Sequence, residues 1–147
     1  MYLLPLLVAA NAKPVVVTPP DRPTVPILDM ATLAGCTGQD LALAVTTIDD
    51  TIQVGAPLYN AGNRPACYRL YLGAATDLAQ HLGTCPGLQN ALTSGITRAS
   101  TLPDYTSQAW AMRDTFDGVI YLYERVATDA AAAPKAVTAP TPTVHER

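Results

Sequence analysis

Between Cys36 and Val126, apolar residues recur at intervals of three and four, the spacing that lays them along one side of an α-helix. Leu41, Val45, Ile48, Ile52, Gly55 and Tyr59 form the first such stripe, and Thr37 with Asp40 three residues later is an N-terminal capping signal. The pattern predicts a helix from about Gly38 to Asn60, kinked or ended by Pro57, with Gly62-Asn63 closing the turn. Pro65 fits the first position of a second helix, whose stripe is Cys67, Leu70, Tyr71, Ala74, Leu78 and His81 or Leu82, and which Gly83 ends. A weaker third helix starts at Pro86 and carries Leu88, Ala91, Leu92, Ile96 and Ala99. Gly95 weakens it by about 1 kcal/mol relative to Ala and predicts fraying. The fourth begins after Pro103, and its stripe of Ala109, Met112, Phe116, Val119, Tyr123 and Val126 is the longest clean pattern in the chain. Apart from the valines at 15–17, no segment suggests a strand. The expected fold class is therefore all-α, with four helices as two antiparallel hairpins, since loops of two to six residues force sequential helices to run antiparallel.

The flanks have a different character. Of 13 prolines, only Pro57, Pro65, Pro86 and Pro103 lie between Cys36 and Val126; the rest cluster up to Pro26 and after Ala133. Residues 1–12, MYLLPLLVAANA, form an apolar run ending in the small-x-small pattern of a secretory cleavage site. The run is shorter than the roughly 15 residues of such peptides and lacks a basic start; an upstream start codon would supply both. It is also short of the roughly 20 apolar residues a spanning helix needs, so no transmembrane segment is expected. Residues 13–35 read as a proline-rich linker in extended or polyproline II backbone. Residues 36–126 are the helical domain. Residues 127–147 are an Ala/Pro/Thr-rich tail, too poor in apolar bulk to offset its own ordering entropy and expected to be disordered.

Charge and chemistry remove several function classes. A net charge of −3 without any basic run offers no footprint for phosphate, so no nucleic-acid partner is expected. His81 and Cys85 share a spacing of four but are only two ligands, and the other histidine, His145, lies in the tail. With neither CxxC nor HExxH, no metal or other cofactor is expected. Ser94, Ser100 and Ser107 have no GxSxG context. Asp49 and Asp50 on the first helix, with Asp114 and Asp117 on the fourth, could form an acid/base couple but read more simply as a solvated face. No catalytic residue is assigned.

Residues 55–74, GAPLYNAGNRPACYRLYLGA, resemble a tetratricopeptide-type helix hairpin in the spacing of Gly55, Leu58, Gly62, Cys67, Tyr71 and Ala74. Cys67 stands where that family usually has Ala, Tyr71 stands at the aromatic position, the closing proline is missing, and Pro57 is foreign to the pattern. The resemblance covers one unit and implies either a tetratricopeptide-like pair or a bundle. The string LYNAG with Cys67 and Tyr71, followed by QAWAMRDTFD, is also similar to an uncharacterised helical domain of secreted bacterial proteins. That likeness implies export and helicity and carries no catalytic residue with it.

Three cysteines leave one unpaired if a disulfide forms. Cys67 and Cys85 bracket the second helix and are about 27 Å apart along it, far beyond the roughly 7 Å that a bridge spans. An antiparallel hairpin instead places Cys36, before the first helix, beside Cys85, closing a loop whose entropy is worth roughly 4 kcal/mol. His81 is then a cap for the carbonyls ending the second helix, and Cys67 a buried thiol. On the fourth helix Trp110, Arg113, Asp117 and Tyr121 step along a stripe beside the core, with an ion pair between Arg113 and Asp117. Trp, Tyr and Arg are the residues binding hot spots favour. Together with Tyr59 and Asn60 at the end of the first helix, they form the candidate interaction surface for a protein partner. The expected role is that of a non-enzymatic interaction or structural domain of an exported bacterial envelope protein, periplasmic or extracellular. The alternative is a small-ligand binder or enzyme with an inter-hairpin pocket lined by Tyr68, Tyr71 and His81. Peptide mapping of the non-reduced protein should recover Cys36 joined to Cys85; a bridge containing Cys67 would refute the pairing.

Overall fold

The computed structural model describes residues 28–132. The signal-like run 1–12, most of the proline-rich linker and the tail from residue 133 lie outside the described residues. A short 3-10 helix, Met30–Leu33, precedes four α-helices: α1 (Gly38–Asn60), α2 (Arg64–His81), α3 (Pro86–Ser100) and α4 (Tyr105–Ala132). No strand occurs among the described residues, and the all-α, four-helix expectation holds.

Local chemistry sets the helix ends. Thr37 and Asp40 form a reciprocal capping box, with the Asp40 N–H donating to Thr37 Oγ1 at 3.1 Å and the Thr37 N–H donating to Asp40 Oδ2 at 2.9 Å. Asp40 also accepts the Thr84 hydroxyl from the α2–α3 loop. That bond, followed by those from Thr37, holds its carboxyl below the usual carboxylate range. Gly62, at φ 85°, turns the chain after α1, and Asn63 caps α2 by accepting the Ala66 N–H at 3.3 Å. Asp104 caps α4 through the Ser107 N–H at 2.9 Å. Pro57 neither ends α1 nor prevents the helix from reaching Asn60, and the Ala61 N–H still bonds the Pro57 carbonyl at 2.9 Å. Pro65 sits one residue inside α2, in the first turn, where no intrahelical donor is missed.

The pairing of residues gives the directions. Cys36 with Cys85 and Asp40 with Thr84 at one end, and Gly55 with Tyr71 toward the other, make α1 and α2 antiparallel. Arg98 donates to the Ala111 carbonyl at 2.8 Å and Gly95 faces Thr115, so α3 and α4 are antiparallel too. The Tyr71 ring meets Phe116 at 5.4 Å between centroids, edge to face, placing α2 directly on α4. Helix α2 touches all three others, and α4 is packed by α1, α2 and α3. Ile48, Leu78, Leu88, Leu92, Met112, Phe116 and Leu122 are completely or almost completely buried at the centre.

The buried axis differs in detail from the large-residue stripes. In α1 it runs through Ala44, Ile48, Thr51 and Gly55, with Leu41, Val45, Ile52 and Tyr59 beside it only half-buried. In α2 it includes Tyr68, Ala75 and Leu82, whereas His81 is exposed. The third helix runs unbroken through Gly95, and the glycine there has a packing role: a Cβ would collide with the Thr115 side chain. Helix α4 does not stop at Val126. It continues through 127–132, part of the segment expected to be disordered, because Ala is the best helix former and no proline intervenes before Pro134. The end of the linker is likewise structured, since the 3-10 helix packs on α3 and Gly35, at φ 83°, turns the chain into Cys36.

Gly55 of α1 faces Tyr71 of α2, where any Cβ would enter the ring. Gly55→Ala should therefore lower stability by about 1–3 kcal/mol despite its better helix propensity, as measured by urea unfolding. At the open position Gly73, Gly→Ala should instead stabilise.

Candidate functional site

The end of α1, the first half of α2 and the start of α4 meet around a small groove. Its lining is Ala56, Tyr59, Asn60, Cys67, Tyr71, Ala109, Trp110 and Arg113, and its volume is about 80 Å³. Four of the six predicted surface residues are thus brought together: Tyr59 and Asn60 from α1, Trp110 and Arg113 from α4. Asp117 joins them through Arg113. Tyr121 lies one further turn along α4 and is 57% exposed.

Each partner is held by another. The Trp110 indole N–H donates to the Tyr59 hydroxyl at 2.9 Å, and the two rings meet edge to face at 5.6 Å. Trp110 is half-buried, so it neither closes the core nor stands free of it. On the other side of Tyr59 the Arg64 guanidinium sits 5.6 Å from the ring centroid. The Arg113 Nε–H donates to Asp117 Oδ1 at 2.7 Å, with both side chains about one-third exposed. Burial draws the Arg113 pKa down, but the Asp117 carboxylate more than offsets this and holds it above its ordinary value.

Behind the groove, Tyr71, Cys67 and Arg113 stand close enough to influence one another electrostatically. Burial, reinforced by Cys67, pushes the phenol up to about 12. Burial also pushes the Cys67 thiol up, against the influence of Tyr71 and Arg113, so at neutral pH both groups are protonated and neither is a nucleophile. Cys67 is the free cysteine and is buried, as expected. Cys36 and Cys85 stand at disulfide-bonding distance at the opposite end of the α1–α2 hairpin, 49 residues apart in sequence.

Other expectations are corrected. Tyr68, Tyr71 and His81 do not line one pocket. Tyr71 faces the groove, Tyr68 packs by Tyr105 at 6.0 Å, and His81 is exposed in the last turn of α2. There its Nδ1 lies 2.8 Å from the Asp77 carbonyl, the helix-end role anticipated for it. The four aspartates do not form one solvated face. Asp49 and Asp50 are exposed on α1, Asp117 is tied to Arg113, and Asp114 is fully buried. Among the described residues no group of three or more His, Cys, Asp or Glu could hold a metal ion. No described helix is long and apolar enough to cross a membrane.

Sequence reasoning missed Cys67 and Arg64 as members of the site and named Tyr71 only for the alternative inter-hairpin pocket. Periodicity placed Cys67 in the core of α2, and nothing local signals that this core opens between α1 and α4. No family model matches the chain, and neither the curated proteins nor the solved structures contain a match.

Tyr59→Phe keeps the ring and removes the acceptor of the Trp110 N–H. It should cost about 1 kcal/mol in urea unfolding and alter the emission of Trp110, the single tryptophan. Tyr121→Phe, at an exposed position, should change neither.

Proposed function

We propose that this chain is a non-enzymatic interaction domain of an exported protein, with its docking face at the junction of α1, α2 and α4. The observation that carries this reading is the preset arrangement of Trp110, Tyr59, Arg113 and Asp117. Two aromatic rings are fixed by a hydrogen bond and an arginine by an ion pair, all at a half-open groove. Side chains already held in place lose little entropy on binding, and Trp, Tyr and Arg contribute most to interfaces. Arg64 over Tyr59 and exposed Tyr121 extend the same face to either side.

A protein surface fits better than a small molecule because the groove, at about 80 Å³, is well below the roughly 300–1,000 Å³ of drug-sized ligand sites. Tyr71 and Cys67, the reactive groups nearest to it, are both held protonated by burial. Export to an oxidising compartment is supported by the proximity of Cys36 and Cys85. The signal-like run at 1–12 is consistent with this.

Affinity capture with the tagged full chain should retain partner proteins that Trp110→Ala with Arg113→Ala loses, the variant keeping its helical circular dichroism. Retention of every partner by a folded variant would overturn the assignment of the face.

A further inference from the structure

A second cleft opens where the 3-10 helix, α3 and α4 meet, with a volume of about 330 Å³ against about 80 Å³ for the groove beside Trp110. Gly87, Ala91 and Gly95 recur at four-residue steps along α3 and form its floor, Gly95 buried and the other two half-buried. A parallel row of polar residues, Asn90, Ser94 and Arg98, also steps by four and lines the same cleft. Asn90 and Ser94 are exposed at the rim, and Arg98 is half-buried.

This row differs from the other polar residues of the helix. The hydroxyls of Thr93, Thr97, Ser100 and the adjoining Thr101 donate to carbonyls of α3 at 2.7–2.9 Å. Among the described residues the side chains of Asn90 and Ser94 make no such bond. Arg98 is braced through one nitrogen, since Nη2 donates both to the Ala111 carbonyl at 2.8 Å and to Thr115 Oγ1 at 3.3 Å. Among the described residues its Nε and Nη1 make no hydrogen bond and no carboxylate pairs with it; none of the residues lining the cleft is acidic. A guanidinium held in place by neutral oxygens keeps its charge and presents a planar fork that matches a carboxylate.

We infer that this cleft takes the C-terminal end of a polypeptide, with the terminal carboxylate on Arg98 and the preceding peptide units on Ser94 and Asn90. An Asn side chain carries both a donor and an acceptor and can pair with the N–H and C=O of one peptide unit. From Asn90 to Arg98 the helix rises about 12 Å, roughly the length of three to four residues of extended chain. Glycines at the floor let a backbone come close. The volume lies at the lower end of the roughly 300–1,000 Å³ of ligand sites, which suits small side chains. The end of a longer chain fits better than a free short peptide, whose ammonium group would find no carboxylate in the lining. Helix α4 presents Thr115 to this cleft and Trp110 and Arg113 to the groove, so the inference does not rest on the docking face proposed above.

The test follows the oxidised, isotope-enriched full chain by NMR during titration with N-acetyl-trialanine, its C-terminal amide, unacetylated trialanine and acetate. The acetylated acid should shift the amide resonances of Gly87 and Gly95 at millimolar concentration and leave the Trp110 indole N–H in place. Amidation should weaken binding about tenfold, and Arg98→Lys, which keeps the charge and loses the fork, should do the same. Asn90→Ala, at an exposed position, should weaken binding severalfold without moving Tm; with the amide probe it decides the matter even where Arg98→Lys fails to fold. Unshifted glycine resonances, equal binding of acid and amide, or full affinity in Asn90→Ala overturns the inference. So does tighter binding of unacetylated trialanine, which would make the ligand a free peptide, or an equal response to acetate, which would make the cleft a bare anion site.

Discussion

The structure depends on the enclosure of α4. This helix has 28 residues and buries Ala109, Ala111, Met112, Asp114, Thr115, Phe116, Gly118, Val119 and Leu122, which cover more than half of its circumference, while Trp110, Arg113, Asp117 and Tyr121 occupy the more open side. A helix buried over so wide an arc needs neighbours on several sides, and they can come close enough only where side chains are small. Gly95 admits Thr115, and Gly55 admits the Tyr71 ring that in turn meets Phe116. Helix α1 is thus held on α4 both through Tyr71 of α2 and directly, through Tyr59 and Trp110. The groove forms beside this relay, at the last turn of α1.

Much of the fold was legible because its signals are local. Thr37 with Asp40, Pro65, Pro86 and Pro103 act within one turn of themselves, and they mark helix starts wherever the rest of the chain goes. The faces were less legible. Periodicity weighs large apolar residues, yet the axes of α1 and α3 also pass through Ala44, Thr51 and Gly95, small residues that no stripe included. At the other extreme, Tyr123 and Val126 continue the stripe of α4 but are only half-buried. The helix is about 42 Å long, and its partners are too short to cover that far end.

The candidate site shows the same division. Trp110, Arg113 and Asp117 were readable from their spacing on one helix, and Arg113 with Asp117 is a contact within that helix. Tyr59 was placed with them by residue type, and the structure supplies the reason in the indole hydrogen bond. Cys67 could not be separated from ordinary core residues, and Tyr71 was set in a pocket with the wrong neighbours, because the opening beside them is a property of three helices together. Asp114 illustrates the converse: a charged residue between a Trp and a Gly reads as surface, and its burial is a tertiary fact.

The pairing of Cys36 with Cys85 has a mechanical consequence for a domain held by its N-terminal arm. Tension applied through that arm reaches Cys36 before it reaches α1. With the bond closed, the force passes straight to Cys85 and into α3, bypassing the chain between the two cysteines, which are 49 positions apart. Helices α1 and α2 are then out of the path of the load. The groove between Tyr59 and Trp110 would keep its α1 and α2 walls in register while α3 and α4 carried the pull. Reduction would return α1 and α2 to the series, so the same arm could then peel them from α4.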